Sequence, residues 1–384
     1  MNYDFLAPRR VVFGWGRRSE VGGLARDLGR RAFIVSGSRT LEAEGRLDEL
    51  TSALDRAGVE AIHAGEIHRE PHVEDVDRLT AFVREQNAGE GDLIIGIGGG
   101  SALDLAKAVS ALATNRHGNT VQEFLEGVGR GLKLEAAPLP MLAIPTTSGT
   151  GSEATKNAVI SSANPPFKKS LRADQMVPRA VLIDPELTVS VPPNITAWTG
   201  MDAITQLIES YISRRARPIP QALALQGLEL AVPALAEAFE DGNSRPAREK
   251  MAHAAFLSGL ALANSGLGMA HGVAAALGIH CDVPHGLACA VMLPIALWVN
   301  FDVRREELTR LAQVMTGRPD ATAQDALDCV DQLCERLRIP RRLSEIGVRP
   351  DQLGDLVRSS RGNSMDGNPR DISDELLAVL EQNQ

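Results

Sequence analysis

Four cysteines in 384 residues are few, and Cys281, Cys289, Cys329 and Cys334 form no C-x-x-C pair. A disulfide framework is therefore excluded, and buried thiols in a reducing compartment are expected. Aromatic residues make up only 4% of the chain, so walls for stacking are scarce. A basic field is missing too: the net charge is -9. Nothing in it invites nucleic acid or an anionic membrane, and no zinc-finger or RNA-binding pattern occurs. The longest apolar stretches are broken by Gly, His or charge before membrane-spanning length, so no membrane span is expected. The opening "MNYDFLAPRR" lacks the apolar core of a signal peptide, which points to a cytoplasmic protein. What remains, 44% hydrophobic and 23% charged, is an ordinary globular composition. The length allows two domains, each with its own core, and no internal repeat or low-complexity segment occurs.

The first half alternates strand-like and helical patterns. "RAFIVSG", "VEAIHAG", "DLIIGIGGGS", "PMLAIPTTSGTGSE" and "RAVLIDPELT" read as strands, the last two with polar exits. "LDELTSALDRAG", ended by Gly58, and "VEDVDRLTAFVREQN" read as amphipathic helices. Strands interleaved with helices imply a parallel sheet covered on both faces. From about Pro192 the chain turns to Ala, Leu and Met at helical spacing, as in "QALALQGLELAVPALAEAF" and "LACAVMLPIALWVNF", and no strand pattern follows Asp184. The expected fold is an α/β N-terminal domain with a parallel sheet and a nucleotide crevice, residues 1–187, followed by an all-α domain, residues 188–384.

Within "IIGIGGGSALDLAKA" an apolar strand stops at Gly98, Gly99 and Gly100 and a helix begins. Ser101 reads as its N-cap, with Asp104 three residues on as a capping-box partner. Bare glycine backbone and a helix N-terminus suit a pyrophosphate. The same residues would also make a tight turn that binds nothing, since the spacing G-x-G-x-x-G is absent. "IPTTSGTGSE" adds a second hydroxyl-rich exit, with Thr146 and Thr147 suited to phosphate or ribose contacts. Two such exits from parallel strands favour a nucleotide site. The exit of "FIVSGSRT" carries Gly37, Ser38 and Arg39 and no acid. An acid there would hold a ribose 2′-hydroxyl and repel a 2′-phosphate, so NADP is tolerated as well as NAD.

"TGMDAITQLIES" places Asp202 and Gln206 at i and i+4, on one face of a helix. This is either half of a metal site or the wet side of a helix. "SGLGMAHGVAAALGIHCDVPHG" carries His271, His280 and His285. Imidazole with carboxylate is a divalent metal's donor set, although a lone histidine on an apolar helix more often belongs to a core.

In order along the chain, "VFGWG", "GGGSALDLAKA", "IPTTSGTGSEAT", "LIDPELTVSVPP", "TGMDAITQLIES", "HGVAAALGIHCDVPHG" and "GNPRDIS" resemble the iron-containing, or group III, alcohol dehydrogenases, similar in fold to dehydroquinate synthase and glycerol dehydrogenase. The resemblance covers nearly the whole chain. It implies a nucleotide domain, a helical domain, a cleft between them with a metal, and a dimer or larger homo-oligomer, formed through the strand around Val11 to Phe13. It implies Asp202, His271 and His285 as ligands to Fe2+ or Zn2+. Gln206 stands where the family has a further ligand histidine, and Ala275 where it has a histidine linked to proton relay. An amide oxygen is the weaker donor for late first-row metals, so Gln206 would either ligate weakly or hold a bridging water. His280 is the candidate for the missing relay. Lys168, or its neighbour Lys169, matches a lysine near the nicotinamide ribose.

These features predict NAD(P)-dependent hydride transfer between a small-molecule alcohol and its aldehyde or ketone, polarised by the metal. Two alternatives keep the fold: a metal-independent, maleylacetate-reductase-like enzyme, and a catalytically impaired nucleotide-binding protein. Dehydroquinate synthase activity is disfavoured, because no cluster of cations surrounds His271.

Overall fold

The computed structural model describes residues 2–37 and 39–384, with only the backbone at Arg39. Contacts divide the chain into two compact units. One comprises Leu6–Thr147 and Ser152–Ser190. The other comprises Val191–Gln384 with Ser148–Gly151 and the N-terminal residues through Phe5.

In the first unit the elements run β1 (Arg10–Phe13), α1 (Val21–Leu28), β2 (Arg31–Gly37), α2 (Arg39–Ala43), α3 (Arg46–Arg56), β3 (Glu60–Glu66), α4 (Val73–Glu85), β4 (Asp92–Gly98), α5 (Gly100–Thr114), β5 (Met141–Pro145), β6 (Asn157–Ala163), β7 (Pro166–Arg172) and β8 (Ala180–Ile183). Six strands form one parallel sheet in the order β1-β8-β5-β4-β2-β3. β4 explains why the sheet is covered on both faces. Leu93, Ile95 and Ile97 join a core with Ile34 and Leu54, whereas Ile94 joins Phe33, Val35 and Leu103 on the other side. Successive side chains of a strand point to opposite faces, so a continuous apolar run needs two cores.

The strand order fixes where a ligand is expected. From β2 the chain goes outward to the edge strand β3, then returns to β4 on the opposite side of β2. The sheet reverses its winding between β2 and β4, and ligands of open parallel sheets bind beyond the carboxyl ends of strands at such a point. The antiparallel pair β6–β7 was not foreseen. Its buried Ala158 and Ile160 alternate with partly exposed Val159 and Ser161, a strand pattern too short and polar to stand out.

The second unit is helical: α6 (Pro193–Ile212), α7 (Pro218–Glu240), α8 (Arg245–Ser265), α9 (Met269–Cys281), α10 (His285–Asn300), α11 (Arg305–Thr316), α12 (Ala323–Arg336), α13 (Leu353–Ser359) and α14 (Leu376–Gln382). Proline opens several of these helices, at Pro193, Pro218 and Pro246. At a first-turn position its missing N–H costs nothing and its fixed φ suits a helix start. α6 packs against α7, α8 and α10, and α9 against α10 and α13. One expectation needs correction: α7, by length and composition alone, is long and apolar enough to cross a membrane. Its Ala224, Leu228, Ala231 and Leu235 are instead buried in the core of this unit.

Candidate functional site

The glycine turn is built by the register of the sheet. Gly37 pairs with Gly98 where β2 and β4 end side by side. Gly98 has φ +151°, and a Cβ there would lie 2.7 Å from the Ala102 Cβ and 2.8 Å from the Gly37 carbonyl oxygen. A Cβ on Gly37 would meet the same Ala102 methyl at 2.5 Å. Both glycines therefore let α5 seat directly on the strand ends. The helix starts two residues earlier than expected. Its N-cap is Gly99, extended and without a side-chain hydrogen bond. Ser101 thus lies inside the first turn, and the expected Ser101–Asp104 capping box does not form. The Asp104 carboxylate accepts hydrogen bonds from Ser152 Oγ (2.5 Å) and the Val159 N–H (2.9 Å), and pairs with Lys107 Nζ at 3.1 Å.

Lys107, fully buried one turn further on, donates to the carbonyl of Ser152 (3.0 Å), to Thr155 Oγ1 (2.8 Å) and to the Asn157 carbonyl. Burial pushes its pKa below the usual lysine value despite the Asp104 carboxylate. Nearby, burial raises the Glu153 carboxyl to about 7. These contacts tie the segment after β5 to α5. The Thr146 N–H donates to the Gly98 carbonyl at 2.9 Å. The Thr147 side chain stands 3.4 Å from where a Gly99 Cβ would be. Gly37, Gly98, Gly99, Gly100, Ser101, Thr146 and Thr147 thus gather at the carboxyl ends of β2, β4 and β5. Ser38 and the side chain of Arg39 lie outside the described residues. Lys168 sits on β7, where Glu70 holds its ammonium at 2.5 Å. Lys169 lies opposite Ile160 in the hairpin register.

In the helical unit, the face of α6 that carries Asp202 and Gln206 is dry. Asp202, Thr205, Gln206 and Glu209 are all buried. His271 lies in the first turn of α9, and His285 is the first residue of α10. Between them Asp282 adopts a left-handed conformation, φ 54°, which ends α9 and lets α10 return against it. One ligand atom from each of Asp202, His271, His285 and Cys289 falls within 4.8 Å of the others. His271 Nε2 is 3.1 Å and His285 Nε2 4.0 Å from Asp202 Oδ1, and Cys289 Sγ is 3.7 Å from His285 Nε2. A tetrahedral ion with these donors would space them about 3.3–3.6 Å apart, so the residues fit a divalent metal after small adjustments. Two imidazoles, a carboxylate and a thiol are also the right chemistry for Zn2+ or Fe2+.

Around this group the partners orient the donors. Glu209 Oε2 lies 2.7 Å from His271 Nδ1, and its Oε1 accepts the Ala270 N–H at 2.7 Å. Glu209 accepts the hydrogen bond from Nδ1, so Nε2 is the nitrogen that faces Asp202, donating to it as N–H and able to ligate once that proton is given up. Burial opposes charge on His271, but the Cys289 sulfur and the hydrogen bonds to Asp202, Cys289 and Glu209 outweigh it and hold the imidazole well above its usual pKa. Burial likewise opposes charge on Asp202, yet the His271 hydrogen bond, the two imidazoles and a Gln206 hydrogen bond keep it below the usual carboxylate range. Burial pushes the Cys289 thiol up to about 12.

Gln206 contributes a side-chain hydrogen bond that helps to keep the Asp202 carboxyl low. Its carbonyl oxygen, the atom able to ligate, is held by Ser258 Oγ at 2.7 Å. His280 does not join the donors; its Nε2 lies 2.7 Å from Ser359 Oγ on α13. Cys289 was missed in the sequence. The available signal was its i+4 spacing from His285, which places both on one face of α10.

The chain matches two family models, "iron-containing alcohol dehydrogenase" over residues 8–185 and the C-terminal region of the Fe-containing alcohol dehydrogenase family over residues 196–383. It is 34% identical to long-chain-alcohol dehydrogenase 1 of Geobacillus thermodenitrificans, covering 92% of this chain and 91% of that protein. It is 33% identical to the sulfoacetaldehyde reductase of Bilophila wadsworthia, covering 100% and 99%. Among solved structures, a sulfoacetaldehyde reductase from Bifidobacterium kashiwanohense in complex with NAD+ superimposes with a TM-score of 0.89 at 28% identity, covering 100% of this chain and 99% of that one.

Proposed function

Because this chain belongs to the iron-containing alcohol dehydrogenase family and is an NAD-linked oxidoreductase acting on CH–OH groups, we propose that Asp202, His271 and His285 hold its divalent ion, Fe2+ or Zn2+, and that the glycine turn holds the dinucleotide. The observation that carries this reading is the convergence of four donor atoms within 4.8 Å on three different helices, three of the residues buried and His285 half-buried. A core without a ligand would not bury two carboxylates and an imidazole together, with a second imidazole at their edge.

Each residue then has a task. Gly98, Gly99, Gly100 and Ser101 present backbone to the pyrophosphate, and Thr146 and Thr147 offer hydroxyls beside it. Asp104 acts from behind, by fastening the Ser152 segment. With no acid among Gly37, Ser38 and Arg39, a 2′-phosphate is tolerated, so NADP is accepted beside NAD. Asp202 supplies negative charge to the ion. Glu209 fixes the His271 tautomer, and Gln206 hydrogen-bonds Asp202. When bound, the ion supplies Lewis acidity to the substrate oxygen, and the nicotinamide carries the hydride. Substrates are small alcohols and aldehydes. The dinucleotide domain, residues 1–187, and the metal and substrate domain, residues 188–384, belong to the same proposal, as does a cytoplasmic homodimer using the sheet-edge strand β1.

The test is aldehyde-dependent oxidation of NADH and of NADPH by the purified, metal-supplied chain across a panel of aldehydes. Turnover with at least one aldehyde is expected. Coenzyme binding without turnover on any of them would favour the impaired reading instead.

A further inference from the structure

The geometry points to Cys289 as the fourth protein ligand of the ion, a thiolate standing in for the donor that Gln206 no longer provides. This rests on the proposed metal site of Asp202, His271 and His285. Three observations carry it. Cys289 Sγ is one of the four donor atoms that converge within 4.8 Å, and it is wholly buried. It leaves α10 on the same face as His285, its sulfur 3.7 Å from His285 Nε2, close to the separation of about 3.6 Å expected for nitrogen and sulfur on one tetrahedral ion. And the Gln206 carbonyl oxygen, the competing donor, has a partner of its own in Ser258 Oγ at 2.7 Å, a hydroxyl that also faces the Ala255 carbonyl.

The chemistry follows from the donor. On coordination the sulfur–hydrogen bond breaks, the proton leaves to solvent, and the sulfur's electron pair enters the metal–sulfur bond. A thiolate is a soft ligand, so the set Asp-His-His-Cys selects Zn2+, or Co2+ as a probe, over Mn2+ and Mg2+. Asp202, His271, His285 and Cys289 would hold the ion between them, and its Lewis acidity would be available to the substrate oxygen.

X-ray absorption at the zinc edge of the zinc-loaded full chain tests this, with metal content measured in parallel. The wild-type spectrum should contain one sulfur scatterer at about 2.3 Å. Cys289→Ser should lose that scatterer and weaken zinc binding at least about tenfold, and adding Gln206→His should restore zinc through a shell of nitrogen and oxygen only. Cobalt-loaded wild type should show a thiolate-to-cobalt charge-transfer band that the serine variant lacks. One zinc per chain with no sulfur scatterer in the wild type would overturn the role of Cys289 and leave the metal reading standing. Failure of the wild-type chain to bind zinc at all would overturn both. Should the serine variant fail to fold, the wild-type scattering and cobalt spectra still decide.

Discussion

The two units present their candidate site residues in opposite ways. The sheet unit offers backbone: a glycine turn at the strand ends, braced from behind by Asp104 and Lys107. The helical unit offers side chains: a carboxylate, two imidazoles and a thiol from α6, α9 and α10, all but His285 buried where charge is expensive. A backbone site depends on shape and tolerates changes of side chain that keep the shape. A side-chain site depends on the identity and charge of each donor and fails when one is altered. The two should therefore be separable by substitution, each losing its own ligand while the other persists.

The largest effect is expected at Asp202. Asp202→Asn removes the one carboxylate of the donor group and should cost on the order of a thousandfold in turnover, about 4 kcal/mol. Dinucleotide binding, measured by fluorescence titration, should stay within a factor of about three. Simultaneous loss of coenzyme binding would break the proposed separation.

Gly98→Val is the reciprocal change. It forces a branched side chain into φ +151° and onto the Ala102 methyl at 2.7 Å. Strain of this kind costs about 1–3 kcal/mol before the clash is counted. Coenzyme affinity should fall more than about tenfold, with metal content by elemental analysis unchanged.

Glu209→Gln sharpens the account of the helical unit. Glu209 holds His271 Nδ1 and the Ala270 N–H, so metal affinity should fall about 10- to 100-fold, as for other outer-shell partners. An unaltered affinity would mean that the His271 tautomer is set without Glu209.

The smallest effect concerns stability. The Glu153 carboxyl, raised by burial to about 7, binds its proton more tightly folded than unfolded. Its contribution is fully present below the unfolded value near 4.3 and is lost as pH rises through about 7. Glu153→Gln should remove that loss, so that the gap between thermal melts at pH 5.5 and pH 8 narrows by about 2–3 kcal/mol. An unchanged gap would show that Glu153 is not buried in its neutral form.

The contrast also explains what the sequence revealed. The sheet unit was largely legible, because buried parallel strands are continuous apolar runs and the glycine turn is contiguous. The failures there were local. The Ser101–Asp104 pair looks like a capping box until the structure shows Asp104 committed to Ser152, Val159 and Lys107, contacts as much as 55 residues away in the chain. The donor cluster was legible only through family resemblance, since 69 residues separate Asp202 from His271. Cys289 is hidden in an apolar run, and its i+4 spacing from His285 becomes a shared face only once α10 is known to start at His285. The direction of the Gln206 amide, set by Ser258 across 52 residues, cannot be read from spacing.

Stripping the chain of metal and titrating it back, with turnover and bound metal followed in the same samples, tests the central claim most directly. Turnover should be absent from the apoprotein and rise in proportion to bound ion up to one per chain, and Asp202→Asn should show neither. Full turnover in the metal-free protein would contradict the account and favour a metal-independent, maleylacetate-reductase-like reaction.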